Sequence, residues 1–401
     1  MVSSAKKVSF LYTNIGRGHP FYLDGIIDEL VHRGHVKLVR CQSDVFEMSR
    51  GLSRLAWRTA NVLYRKGSSG GIAGKVYGAI RSDTDYNRPG LMLHVMGRDI
   101  RRAHLSGAEP LVVAHPILVG ILRGRENLVY QHGEVAAPSE SLVMGASTVL
   151  VPVSRVAESF VEAGYARDQV VVSGLCIEPA IARQAADSYE LRMERLASSA
   201  VLTGAFFSSG AEPAIHVDKL VEAAVSAVSA GGRAVLFARR GGRVARVAAG
   251  EFRRLCRHLE IVDPCDQIPA DLPGATLVTY SSRREEASLS SKLFPLFDYL
   301  VAPSHERTNW ALGLGLPMFA VGPTIGPFAP RNMQVLLDHG VAEMLDSSAA
   351  ARELGPTVHQ LRESGRLAAM AGAGWEKYPI NGFERIAQLL QSRYGEQPAD
   401  H

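Results

Sequence analysis

Short apolar runs recur along this chain, each closed by glycine, proline or small polar residues, and they constrain the fold more than any other feature. The stretch Pro295–Val341 shows the pattern best. Tyr299–Ala302 has the continuous apolar character of a strand buried on both faces and breaks at Pro303-Ser304. Ser304 or Thr308 is placed to cap a helix that carries Trp310, Ala311, Leu312 and Leu314 to a stop at Gly315-Leu316-Pro317. Met318–Val321 reads as a second buried strand that ends in a Gly/Pro-rich loop, and another helix begins near Pro330. The result is a βαβα unit with two helix N-termini beside the ends of parallel strands, where α/β sheets bind ligands and phosphates in particular.

The same alternation starts at the N-terminus. Val8–Tyr12 reads as a strand, followed by a turn holding Gly16, Gly18 and His19. A helix with Leu23, Ile26, Ile27, Leu30 and Val31 at helical spacing comes next. Further strands are predicted at Val36–Arg40, Pro110–Ala114, Leu128–Gln131, Ser147–Pro152 and Val170–Ser173, with helices between them. After a charged helical stretch, Ala180–Leu196, the pattern restarts with a strand at Ala200–Thr203 and a glycine/serine loop from Gly204 to Gly210. A helix from Ile215 and strands at Arg233–Ala238, Glu260–Val262 and Thr276–Tyr280 follow. The fold class is therefore α/β, with two doubly wound parallel sheets. The domains are 1–185, 186–375, and a closing helical segment, 376–401, able to cross back to the first domain.

A net charge of +4 is too mild to argue for a nucleic-acid partner. The four cysteines, Cys41, Cys176, Cys256 and Cys265, lack metal-ligand spacing, as expected of a reduced cytoplasmic chain. No apolar run approaches the roughly 18 residues of a membrane span, so the protein is expected to be soluble or held at a membrane surface. Met48–Ser82 carries Arg50, Arg54, Arg58, Arg65, Lys66, Lys75 and Arg81 without one acidic residue, interleaved with Leu52, Leu55, Trp57, Leu63, Tyr64 and Tyr77. Such a segment suits an anionic membrane surface, a polyanionic soluble acceptor, or simple packing of a helix pair with a solvated basic face.

These motifs together resemble the glycosyltransferase family that holds the lipid-II-forming N-acetylglucosaminyltransferases and the monogalactosyldiacylglycerol synthases. The carriers are the strand Tyr299–Ala302, the loop Ser304–Thr308, the Gly315-Leu316-Pro317 stop, and Asn332 opening a helix toward Gly340. The Gly16-Arg17-Gly18-His19 turn and the loop from Thr203-Gly204 to Gly210-Ala211 complete the set. The resemblance implies a GT-B architecture, two Rossmann-like domains facing a central cleft. Three positions depart from the family pattern. Trp310 stands where a ribose-binding Glu is usual, His305-Glu306-Arg307 replaces paired glycines, and Ala329 replaces a Gln that touches the donor sugar.

What the resemblance implies is a metal-independent glycosyltransferase, a hexosyltransferase using a nucleotide diphosphate sugar, UDP-linked for preference. The acceptor hydroxyl would belong to a lipid or a secondary metabolite. No cofactor or metal is called for. Donor-side candidates are Gly204, Ser208, Ser209, Arg239, Tyr280, Ser281, Ser304, Thr308, Asn309 and Asn332, with Gly16 and Gly18 in the acceptor-side loop. His19 is the candidate base, because its intrinsic pKa suits proton abstraction near neutrality, and Glu134 is the second candidate. The location expected is cytoplasmic, peripheral at the inner face of the cell membrane. A nucleotide-sugar epimerase or hydrolase on the same fold, and a non-catalytic nucleotide-sugar-binding protein, are the alternatives.

Overall fold

The computed structural model describes residues 7–13, 18–68, 85–88, 90–263 and 272–395. Most residues up to Pro179, together with those from Pro379 onward, form one compact unit, and Ala180–Tyr378 forms a second.

The first unit is a six-stranded, all-parallel sheet. Its strands are β1 (Val8–Tyr12), β2 (Val39–Asp44), β3 (Leu111–Val113), β4 (Leu128–Gln131), β5 (Thr148–Val151) and β6 (Val170–Val172), in the order β2-β1-β3-β4-β5-β6. The chain leaves β1 toward β2 and returns on the other side to β3, so the topological switch point lies between β1 and β3. Helix α1 (Gly18–His32) follows β1 and buries Leu23, Ile26, Ile27 and Leu30, the residues its spacing singles out. The C-terminal helix, Gly382–Tyr394, packs on α1 and adds Phe383, Ile386 and Leu390 to this core. Helix α2 (Gly51–Ser68) lies against α3 (Leu91–His104). The α2 residues Ser53 and Trp57 both donate to the Met96 carbonyl, from Oγ at 2.8 Å and Nε1 at 3.0 Å. Helix α4 (Pro116–Ile121) follows β3.

The second unit holds seven parallel strands in the order β13-β12-β11-β7-β8-β10-β9. They are β7 (Thr203–Phe207), β8 (Arg233–Arg239), β9 (Glu260–Val262), β10 (Ala275–Tyr280), β11 (Tyr299–Ala302), β12 (Met318–Val321) and β13 (Ala342–Leu345). Here the switch point lies between β7 and β11. The helices that matter for the site are α5 (Ala214–Ser229) after β7, α6 (Arg243–Arg254) after β8, and α7 (Arg283–Leu293) after β10. To these are added α8 (Thr308–Gly313) after β11 and α9 (Ala329–Asp338) after β12.

Several boundaries differ from expectation. The strand expected at Ala200–Thr203 lies at Thr203–Phe207, so Gly204, read as the start of a loop, is inside β7. A Cβ there would stand 2.5 Å from the Tyr299 ring on β11, so a close aromatic contact, not a phosphate turn, explains the glycine. The strand expected at Val36–Arg40 is displaced to Val39–Asp44 by a 3₁₀ turn over Val36–Leu38. The edge strand β13 is absent from the expectation because Glu343 interrupts its apolar run. Neither Ser304 nor Thr308 caps α8: the N-cap position is Arg307, and the Thr308 hydroxyl instead donates back to the His305 carbonyl.

Candidate functional site

At the switch point of the first sheet, α1 follows β1, and its first turn meets the residue that follows β3. His19 lies in the first turn of α1 with its Nδ1 2.8 Å from the Ala114 carbonyl. That contact fixes the proton on Nδ1, so in the neutral ring the lone pair belongs to Nε2. The His19 ring packs on that of His115, with centroids 4.3 Å apart. The Nδ1 of His115 in turn accepts from the Ile117 amide at the start of α4, 3.1 Å away.

One turn beyond His19 on α1 is Tyr22, whose hydroxyl donates to Glu134 Oε1 at 3.2 Å. The backbone after β4 is where this contact is secured: a Cβ on Gly133 would stand 2.2 Å from the Tyr22 ring, so only glycine lets the ring lie there. His132 is buried beside them, its Nε2 3.1 Å from the Ala136 carbonyl. Burial pushes its pKa down to about 4, with His19 adding to the effect, so it is neutral near pH 7. The structure thus brings His19 and Glu134 to one sheet edge through Tyr22, a residue the sequence reading missed. The spacing of His19 and Tyr22, one helical turn apart, was the available signal. Gly18 is the first residue of α1, and Gly16 lies outside the described residues.

In the second unit the donor-side candidates outside β7 itself are spread over the ends of β8 and β10 and the segments that follow β7, β10, β11 and β12. Ser208 and Ser209 follow β7 directly. The Ser208 hydroxyl is shielded from solvent and has no hydrogen-bond partner among the described residues. Helix α5 then begins without a side-chain cap and without an acid in its first turn, which leaves amide donors and a positive dipole end on this side of the sheet. Arg239 is exposed at the end of β8 and makes no ion pair among the described residues. Its neighbour Arg240 is held by Asp263. Tyr280 ends β10, and the Ser281 amide donates to Glu285 at 2.7 Å.

The β11 side is built differently. Ser304, Thr308, Asn309 and Asn332 are all buried. Ser304 Oγ donates to the Ala329 carbonyl at 2.9 Å, and Asn332 Nδ2 to the Ser304 carbonyl at 3.2 Å, so these side chains tie the β11–α8 loop to α9. Arg307, a buried cation that the sequence reading passed over, lies 3.8 Å above the Phe207 ring. Its Nη2 reaches Glu286 Oε1 on α7 at 2.7 Å, and Nη1 reaches Glu306 at 3.3 Å. Trp310 is 2 % exposed and packs edge-on to Phe207 and Phe294, so it fills core where the family pattern has a ribose-binding carboxylate.

On the surface of the first unit, α2 exposes Leu52, Leu55, Val62 and Leu63 alongside Arg54 and Arg58, and α3 exposes Leu91 and Met92. Trp57, in contrast, is fully buried, as packing of a helix pair with a solvated basic face has it. Lys75, Tyr77 and Arg81 lie outside the described residues. Among the described residues no helix is long and apolar enough to cross a membrane.

Two all-parallel α/β sheets in one chain define the GT-B fold class expected from sequence. Among solved structures, a candidate UDP-N-acetylglucosamine 2-epimerase from Listeria monocytogenes is similar over the whole of both chains at 12% identity, TM-score 0.58. UDP-GlcNAc 2-epimerase from Neisseria meningitidis, bound to UDP-GlcNAc, matches 96% of this chain and 100% of its own at 10% identity, TM-score 0.53. MnaA of S. aureus, in complex with UDP, matches 99% and 100% at 12% identity, TM-score 0.53. No protein-family model matches the chain, and no curated protein does.

Proposed function

We propose that this protein is an enzyme acting on a nucleotide diphosphate sugar, and that it transfers the sugar to an acceptor hydroxyl. The observation that carries the reading is the Ser208 hydroxyl, buried and without a partner among the described residues, in the segment that leads from β7 to the uncapped start of α5. Unpaired donors at this place in a parallel sheet suit a phosphate group, which a small turn of the Ser208 side chain would bring within reach. Ser208, Ser209, the α5 amides and Arg239 would carry the charge that grows on the departing diphosphate, as preorganised donors do in other transfer reactions. No metal is called on in this scheme. UDP is the favoured nucleotide, since two of the similar structures hold UDP or UDP-GlcNAc.

In the first unit His19 is the base. With its Nδ1 proton committed to Ala114, Nε2 is the atom that takes the acceptor proton. Glu134 assists by holding charge close to the imidazolium that forms. The exposed apolar and arginine side chains of α2 and α3 favour a lipid or lipid-linked acceptor presented at an anionic membrane, and hence a peripheral location. The buried Trp310 and Ala329 mean that ribose and sugar contacts come from residues other than those of the family pattern.

The second reading, epimerisation of the nucleotide sugar, is favoured by the full-length likeness to UDP-GlcNAc 2-epimerases. Incubation with UDP-sugars separates the two. Transfer requires an added acceptor, whereas an epimerase alters the sugar without one. His19→Ala is expected to abolish turnover while leaving UDP binding intact; full turnover by that variant would remove His19 from the mechanism.

A further inference from the structure

Helix α5 does more than follow the Ser208–Ser209 turn. Two of its side chains, one turn apart, reach across to the far side of the second sheet. His216 is 2 % exposed and its Nε2 lies 2.7 Å from the Pro323 carbonyl. Lys219 is 5 % exposed, and its Nζ donates to the Gly322 carbonyl at 2.5 Å and to the Asp346 carbonyl at 2.6 Å. Gly322 directly follows β12 and Asp346 directly follows β13. Burying a lysine amine and an imidazole is costly unless their donors are used, and here all three bonds go to backbone at the ends of two strands.

The opposite foot of the same loop is pinned as well. Ser304 Oγ bonds the Ala329 carbonyl and Asn332 Nδ2 bonds the Ser304 carbonyl, which fixes the start of α9 to the β11–α8 loop. Between the feet, Pro323 and Gly326 are exposed, and Thr324, Ile325, Pro327 and Phe328 are part-exposed. A loop whose feet are held by buried polar groups and whose crown is exposed or half-exposed has the build of a ligand frame. The arrangement also spans the switch point. α5 begins at β7, and its two side chains hold the loop after β12, with β11 lying between those strands.

We infer that His216 and Lys219 are positioning residues that hold the Gly322–Phe328 loop in its ligand-receiving shape and couple it to the Ser208–Ser209 turn. The inference rests on the proposed use of this sheet edge for a nucleotide diphosphate sugar. The mechanism needs a donor hydrogen at two positions, so chemistry and reach both matter. His216→Gln retains an N–H donor of similar reach and Lys219→Arg retains a donor, whereas His216→Ala and Lys219→Met do not.

Four variants, His216→Ala, His216→Gln, Lys219→Met and Lys219→Arg, test this by UDP and UDP-GlcNAc titration calorimetry, thermal unfolding, and amide hydrogen exchange of Thr324–Phe328. The alanine and methionine variants are expected to weaken ligand binding at least tenfold and to speed exchange in the loop. The glutamine and arginine variants are expected to return affinity to within about threefold of the parent, and the losses in affinity should not track Tm. Unchanged exchange in folded His216→Ala and Lys219→Met overturns the inference whatever ligand binds, as does an affinity loss that follows Tm across all four. A parent protein that binds neither nucleotide while the loop exchange responds as expected would instead overturn the proposed function, and leave the latch as a feature of the fold.

Discussion

Replacing Glu286 with alanine should unfold the second unit more readily than any nearby surface change. Its carboxylate is the closest partner of Arg307, at 2.7 Å, and the two side chains are 1 % and 7 % exposed. Removing one member of a buried pair typically costs about 3–5 kcal/mol, because the other charge is left uncompensated. Glu306 remains at 3.3 Å and the Phe207 face at 3.8 Å, so the loss should fall near the lower end, about 3 kcal/mol. For a unit of this size each kcal/mol moves Tm by roughly 2–4 °C, giving a drop of roughly 6–12 °C. Urea denaturation followed by tryptophan fluorescence reads the change, since Trp310 sits 5.3 Å from the Arg307 guanidinium carbon. The double variant Glu286→Leu with Arg307→Met removes both charges and should recover most of the loss, as apolar replacement of a whole buried pair often does. A single variant within about 1 kcal/mol of the parent, or a double variant as unstable as the single, would refute the assignment of a strong buried pair.

Gly133→Ala drives a methyl group into the Tyr22 ring, so the Tyr22–Glu134 bond should break and turnover should fall at least tenfold with UDP affinity unchanged. Parallel turnover and titration measurements check this, and an active Gly133→Ala protein would contradict the packing. Stability should also decline in acid. The pKa values of His132 and His216 are lowered to about 4 in the fold, chiefly by burial, against 6.5 when exposed. Between those values the unfolded chain takes up protons that the folded chain refuses, so each histidine withdraws roughly 3 kcal/mol as pH falls from about 6.5 to about 4. The contribution is fully present above pH 6.5. The double variant His132→Gln with His216→Gln should flatten that part of the slope of urea midpoint against pH; an unchanged slope would show that neither ring is held neutral.

Most of this fold is legible in sequence because central parallel strands are buried on both faces and appear as unbroken apolar runs, as in Tyr299–Ala302 and Met318–Val321. The reading slips where that logic weakens. The apolar run Ala200–Leu202 precedes β7, with Val201 exposed, and Gly204 imitates a loop inside a strand. β13 is an edge strand whose Glu343 and Met344 are not buried. The site is only partly legible. His19 and Ser208 announce themselves through glycine-rich turns after apolar strands. Arg307, Glu286 and Lys219 look like ordinary surface charges until the fold buries them, since burial of a charged side chain depends on partners distant in sequence. Glu286 is 21 residues from Arg307, and Lys219 is 127 from Asp346.

The central claim is that the β7/β11 switch point holds the diphosphate of a nucleotide. Titration calorimetry of UDP into the parent protein and into Arg239→Ala tests it most directly. Arg239 is exposed and makes no ion pair among the described residues, so its loss should leave the fold intact and a change in affinity should report on the ligand. Saturable 1:1 binding by the parent, weakened at least tenfold in Arg239→Ala and more steeply at low salt than at high, is the expected result. Equal affinity in both proteins, or no binding of UDP by the parent, would contradict it.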